Sequence, residues 1–189
     1  MMLPMSRSVI ESIEPIGSIE NSITFVKNLT TMDTLVATRS EYEIERGKPM
    51  PSLNHGLIQG NTNFALLQRY RGKYSFPTET SLDLAGWSST PDILIFRPIT
   101  LNLKADKIKV SEPPLGVIEI LSPTQNLNDL VDKADQYFAH GVKSCWIIIP
   151  SMGGVAIYSA PGKYEFFNED DTAKDTVLEI EIPVAEIFQ

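Results

Sequence analysis

An α/β fold, with a central mixed β-sheet flanked by helices, is the class this sequence predicts. Three observations predict it. Two runs, Asp92–Phe96 and Gly116–Leu121, are nearly continuous aliphatic and β-branched residues, the pattern of strands covered on both faces. A third such run, Cys145–Ile149, is ended by Pro150. Between the last two lies a segment of helical periodicity. Strand–helix–strand is the unit that crosses over between parallel strands, and its crossover is expected to be right-handed.

The elements follow in chain order. Residues 1–40 are the least patterned. Ile10, Ile13, Ile16, Ile19 and Ile23 punctuate a stretch rich in Ser, Thr, Glu and Asn, which reads as an appendage packed on the core. Tyr42–Glu45 alternates in character and runs into the turn Arg46-Gly47-Lys48-Pro49, a hairpin signature. Pro51–His55 marks a helix start, with Ser52 or Asn54 as N-cap. That helix is expected to run to about Tyr70, carrying Leu57, Ile58, Phe64, Ala65 and Leu67. Gly56 and Gly60 oppose it by ~1 kcal/mol each relative to Ala. Lys73–Phe76 and Leu82–Leu84 read as strands.

The second helix is the clearest element. Leu127, Leu130, Val131, Ala134, Tyr137 and Phe138 form an apolar stripe at helical spacing. Asn126 is placed to cap its start, and Gly141 sits where a left-handed C-cap belongs. Val155–Tyr158 and Tyr164–Phe167 flank Pro161-Gly162 and read as a hairpin. Gly153-Gly154 is a turn without the context of a phosphate loop.

Composition bounds the function. The chain has 189 residues, 42% hydrophobic and 21% charged, enough for one domain with a full core. Its formal charge of −8 excludes a generally basic nucleic-acid coat, which phosphate would require. It does not exclude a nuclease, whose metal site must itself be acidic. The lone Cys145 permits no internal disulfide and, set among Trp and Ile, reads as an inert core thiol. With no cationic start, no apolar leader and no run long enough to span a bilayer, the expectation is a cytoplasmic protein without membrane contact.

Two acids interrupt the apolar strands. Asp92 opens one run and Glu119 sits inside another. An ionised carboxylate hemmed by Ile and Leu is costly to desolvate unless a cation or several donors compensate. A divalent metal would do so, and oxygen-only ligation with open positions suits Mg²⁺ or Mn²⁺. The plainer alternatives are a strand-capping Asp92 beside Pro91 and a Glu119 paired to a buried Arg or backbone amides. Lys133 flanks the apolar stripe of the second helix, where its stem can lie along the packed face and its ammonium extend to the strand edge. The alternative is a surface pair with Asp129 four residues earlier.

These residues carry a resemblance. Tyr42-Glu43-Ile44 with Gly47, Pro51-Ser52 with His55, Pro91-Asp92-Ile93, Ile118-Glu119-Ile120-Leu121-Ser122-Pro123, then Asp129, Lys133, Tyr137, Gly141-Val142 and Cys145-Trp146 follow in order. The series resembles the Uma2 family of restriction-type endonucleases, within the PD-(D/E)XK nuclease superfamily, over roughly residues 41–189. The resemblance implies a restriction-endonuclease-like core and a metal-dependent phosphodiesterase acting on DNA as a homodimer. It implies that Asp92 and Glu119, 27 positions apart, bind Mg²⁺ (or Mn²⁺). The superfamily's Lys two residues after the acid is Leu121 here. The family is similar in lacking it, and Lys133 is the implied substitute. Glu43 resembles the family's upstream Glu, with an exposed hairpin acid as its alternative.

His55 reads as a surface or helix-capping residue, and the resemblance adds a place beside substrate or the metal ligands. Ser122 is either a partner for a site carboxylate or the turn before Pro123. His140, at the C-terminal end of its helix, receives no function. Glu79 and Asp83 read as loop acids. Two basic groups, Arg69–Arg71–Lys73 and Lys104–Lys107–Lys109, are the candidates for phosphate contact. The competing reading is a catalytically inactive module for binding or assembly that keeps the nuclease scaffold.

Overall fold

A computed structural model describes residues 50–189. The appendage at 1–40, the hairpin around Gly47 and Glu43 lie outside the described residues. Helix α1 spans Leu53–Tyr70 and α2 spans Leu127–Ala139. The strands are β1 (Ser81–Leu84), β2 (Trp87–Ser89), β3 (Ile93–Ile95), β4 (Lys109–Val110), β5 (Gly116–Ile120), β6 (Ser144–Ile149), β7 (Gly154–Ala160), β8 (Lys163–Asn168), β9 (Thr172–Asp175) and β10 (Ile180–Pro183).

The central sheet has five strands in the order β3-β5-β6-β7-β8. β5 and β6 pair in parallel and the remaining neighbours antiparallel, so the sheet is mixed. The parallel pair is joined through α2, as the strand–helix–strand pattern predicts. Both helices begin and end within a residue or so of their expected limits. Ser52 caps α1 by accepting from His55 N–H, and Asn126 caps α2 by accepting from Asn128 N–H. Gly141 takes a left-handed φ of 97° just past α2, a conformation that disfavours any residue with a Cβ.

Each face of the sheet buries its own core. On one, Ile93, Ile95, Ile118, Ile120, Trp146 and Ile148 pack against Ile58, Ala65 and Leu66 of α1 and against the β9–β10 hairpin. On the other, Leu94, Val117, Cys145 and Ile147 pack against Leu130, Ala134 and Tyr137 of α2 and against Leu82 and Leu84 of β1. The period-2 alternation along each strand thus becomes apolar on both faces, which is why the runs look continuous in sequence. Burying one such Ile or Leu contributes about 1.5–3 kcal/mol relative to leaving it exposed.

Three features differ from expectation. β3 is at the sheet margin rather than its centre, yet it is buried because residues 75–78 close its outer side through the bridges Ser75–Phe96 and Thr78–Ile93. On α1 the inward face is set by His55, Ile58, Thr62, Ala65 and Leu66, which leaves Leu57 and Phe64 exposed at 54% and 67%. β2, β4, β9 and β10 are only two to four residues long and carry polar residues, so they leave no periodic signal. The β9–β10 unit is anchored by buried Asp175. Its Oδ2 accepts from Ser144 Oγ at 2.5 Å and Trp146 Nε1 at 2.8 Å, and its Oδ1 from the N–H groups of Val177 and Leu178 at 2.9 Å each.

Candidate functional site

The site forms where β3 begins and β5 ends. The antiparallel register sets Ile93 opposite Ile118, and one further step brings Asp92 alongside Glu119. Both acids are almost fully buried, at 1% and 3% exposed. They line one small cleft together with Pro51, His55, Glu79, Ile120, Ser122 and Gln125.

Each acid has its own set of compensating partners. Asp92 Oδ2 accepts from Ile120 N–H at 2.7 Å. Its Oδ1 lies 3.2 Å from Nε2 of His55. Glu119 Oε1 lies 2.8 Å from Lys133 Nζ and accepts from Tyr137 OH at 2.5 Å. The phenolic oxygen is in turn 2.6 Å from Ser89 Oγ. Burial, and after it the charge of Glu119, pushes the Tyr137 phenol well above its ordinary value, so it stays a proton donor to the carboxylate. The Tyr137 ring is held by an edge contact with Trp87, which also stacks on His140.

Local chain geometry explains the convergence. Lys133 and Tyr137 are four residues apart, so one face of α2 presents both to Glu119. His55 and Gln59 bear the same relation on α1. Gln59 Nε2 donates to Asp92 O at 2.9 Å and to Glu79 Oε1 at 3.1 Å. Glu79 N–H also donates to Asp92 O at 3.2 Å. Glu79 adopts a left-handed φ of 54°, a conformation unfavourable for a residue with a Cβ and the kind of backbone strain that clusters at functional sites. Ser122 Oγ lies 3.1 Å from His55 Nδ1, and Ser122 N–H donates to Gln125 Oε1 at 3.0 Å.

Asp92, Glu119, Lys133, His55 and Ser122 are therefore brought to one place, whereas Glu43 lies outside the described residues. His55 is buried against Asp92, not a surface residue. The surface pair with Asp129 is not what holds Lys133. Two contributors escape sequence reading. Glu79 is in a loop, as expected, but its carboxylate enters the cleft, and no periodicity marks such a position. Tyr137 looks like a core residue of an apolar stripe; its spacing from Lys133 is the signal that links it to Glu119.

The donor set fits a divalent cation. His55, Glu79 and Asp92 each offer a ligand atom, and these atoms lie within 4.8 Å of one another. His55 Nε2 is buried, makes no hydrogen bond among the described residues and lies 3.2 Å from Asp92 Oδ1. A protonated imidazole paired with Asp92, or a divalent ion between the donors, would satisfy that nitrogen.

The basic groups differ in availability. Arg69 pairs with Glu186 and Lys73 with Glu179, each at 2.7 Å, so much of the first group's charge is offset. Lys104, Lys107 and Lys109 are exposed. No helix among the described residues is long and apolar enough to cross a membrane.

The family model described as "Uma2: Putative restriction endonuclease" matches residues 37–185. The chain belongs to the Uma2 family. A solved structure from Anabaena variabilis ATCC 29413, described as "a putative nuclease belonging to DUF820", is similar at a TM-score of 0.65 and 22% identity. The alignment covers 74% of this chain and 83% of that one, and the likeness establishes a shared fold. A DrdV–DNA complex aligns at a TM-score of 0.32 and 14% identity over 79% of this chain and 12% of that one, too distant to carry an argument. No curated protein matches the chain. The Uma2 chain thus has the restriction-endonuclease-like α/β core that its ordered motifs implied.

Proposed function

We propose that this Uma2 protein is a metal-dependent endonuclease that hydrolyses phosphodiester bonds in DNA. The observation that carries the reading is one buried cleft in which Asp92 and Glu119 meet, with Lys133 Nζ 2.8 Å from Glu119. Mg²⁺ or Mn²⁺ bound there would polarise a phosphate oxygen and lower the pKa of a water. Asp92 and Glu119 supply the acids toward that ion. Lys133 orients the attacking water, takes part in its deprotonation and offsets developing negative charge. Tyr137 holds the Glu119 carboxylate by donating to Oε1. His55 and Ser122 fix the opposite wall of the cleft. Glu43 is the further acid that the family resemblance offers.

DNA as the substrate draws support from the family description and from exposed Lys104, Lys107 and Lys109, which suit phosphate contact on an otherwise acidic protein. A homodimer would let two such sites address two strands. Light scattering that returns a monomer mass would remove that part of the reading.

One observation favours an inactive binding module. Glu119 Oε1 is already engaged by Lys133 and Tyr137, and both contacts compete with a metal. Nicking of supercoiled plasmid with Mg²⁺ and Mn²⁺ separates the two. Wild-type cleavage, lost in Asp92→Ala and Glu119→Ala with unchanged circular dichroism, is the expected result. Cleavage at the wild-type rate by either variant overturns the site. No cleavage by the wild type with either ion favours the module.

A further inference from the structure

We infer that the outward face of α1 is the surface through which two copies of this chain pair, the two helices running antiparallel about a two-fold axis at Gly60. The inference rests on the homodimer part of the proposed reading and supplies the contact surface for it.

α1 has two apolar faces. His55, Ile58, Thr62, Ala65 and Leu66 are buried on the inner one. Leu53, Leu57, Gly60 and Phe64 follow at helical intervals along the opposite side. Leu53, Leu57 and Phe64 are 80%, 54% and 67% exposed. A single surface leucine needs no account, but three large side chains in one row do. A helix that is apolar on both sides is one that is covered on both sides. Gly56 lies beside the row, and a Cβ at Gly56 or Gly60 would meet nothing within 4 Å. No contact among the described residues requires either glycine, and each costs helix stability relative to alanine. A glycine on a helix surface lets a second backbone approach closely.

Charge selects the occupant. Each chain carries −8, so two copies repel wherever their charged surfaces meet. From Leu53 to Gln68 there is no Asp, Glu, Lys or Arg, so this face can meet itself without bringing like charges together. A phosphate backbone would call for cations, and the stretch has none. The face also fits itself in shape. A two-fold axis at Gly60 sets positions equally far on either side of it opposite one another. Phe64 then sits over Gly56 of the partner subunit, and Leu53 beside Leu67 of the partner subunit. Each ring fills the notch that a glycine leaves, as ridges fill grooves in close helix packing. His55, which lines the cleft, is five residues from Gly60, so the pairing sets the two clefts either side of the axis. Along the helices they are about 15 Å apart.

Analytical ultracentrifugation of the full chain tests this without reference to cleavage. The wild type is expected to sediment as a dimer. Phe64→Lys puts a charge into both halves of the contact and is expected to weaken the dimer on the order of tenfold or more. Leu101→Lys, at a leucine that is 82% exposed but outside the face, is expected to leave the dimer unchanged. The double variant Gly56→Ala, Gly60→Ala adds two methyl groups to open space on a helix that favours alanine. On a surface that nothing covers, it would give a more stable protein of unchanged mass. Against a second helix the methyl groups force the backbones apart, and a dimer weakened on the order of tenfold is expected. A wild-type dimer left intact by either variant, each folded by circular dichroism, overturns the inference and keeps the homodimer reading. A monomeric wild type overturns both. The plasmid-nicking assay tests the endonuclease reading separately, and neither outcome alters it.

Discussion

Lys133 Nζ stands 2.8 Å from Glu119 Oε1, so a partly exposed cation is held by a strand acid that is only 3% exposed. The pair joins α2 to β5. If Lys133 acts on the attacking water, Lys133→Ala lowers cleavage by about 10²–10⁴-fold and leaves metal binding mostly intact. Parallel nicking assays and calorimetry check this. Loss of metal affinity with the lysine would make it a support for Glu119 instead.

Tyr137→Phe removes the hydroxyl that joins Ser89 to Glu119. Buried Glu119 and half-buried Ser89 each lose a partner, and a loss of about 1–3 kcal/mol is expected in urea unfolding. Cleavage is expected to fall while Lys133 remains paired.

Alkaline stability should decline in a definite direction. Burial and the charge of Glu119 raise the Tyr137 phenol well above 10.0, and burial raises the Cys145 thiol well above 9.0. The folded chain keeps protons that the unfolded chain releases. Stability from these groups is therefore fully present below about pH 9 and is lost as the pH rises beyond it. Unfolding midpoints measured between pH 7 and pH 11 (about the span of the two ordinary values) should fall at the alkaline end, and less steeply in Tyr137→Phe.

Cys145 is fully buried. A thiol reagent at neutral pH should find no reactive group in the native protein and one in urea. Rapid labelling of the native protein would contradict the packing of β6.

Asp175 accepts four hydrogen bonds in the core. Asp175→Ala is expected to destabilise the fold by about 3 kcal/mol or more, read by tryptophan fluorescence because Trp146 is one of the donors. Residual folded protein should keep its metal affinity, since this acid is outside the cleft.

How much of this was legible varies by element. The helices were, because α2 places its apolar residues at helical intervals and both N-termini carry capping side chains. β5 and β6 were, because a strand buried on both faces writes an apolar run. The site was partly legible for the same reason: Asp92 and Glu119 are conspicuous as charges inside such runs, and Lys133 by its place beside a stripe. Glu79 was not, because it reaches the cleft through a turn whose φ no local sequence rule demands. The inward aim of His55 was not, since helix-start histidines are ordinary and the sheet that buries this one is distant in sequence. Leu57 and Phe64 misled because the inward face of α1 is built partly from His55 and Thr62, polar residues that hide the stripe.

The left-handed backbone at Glu79 sets stability and function against each other at one position. Glycine there would relax the chain and harden the fold, yet delete a carboxylate from the cleft. Variants selected only for thermal endurance should therefore accumulate Glu79→Gly and lose ion capture as they do so.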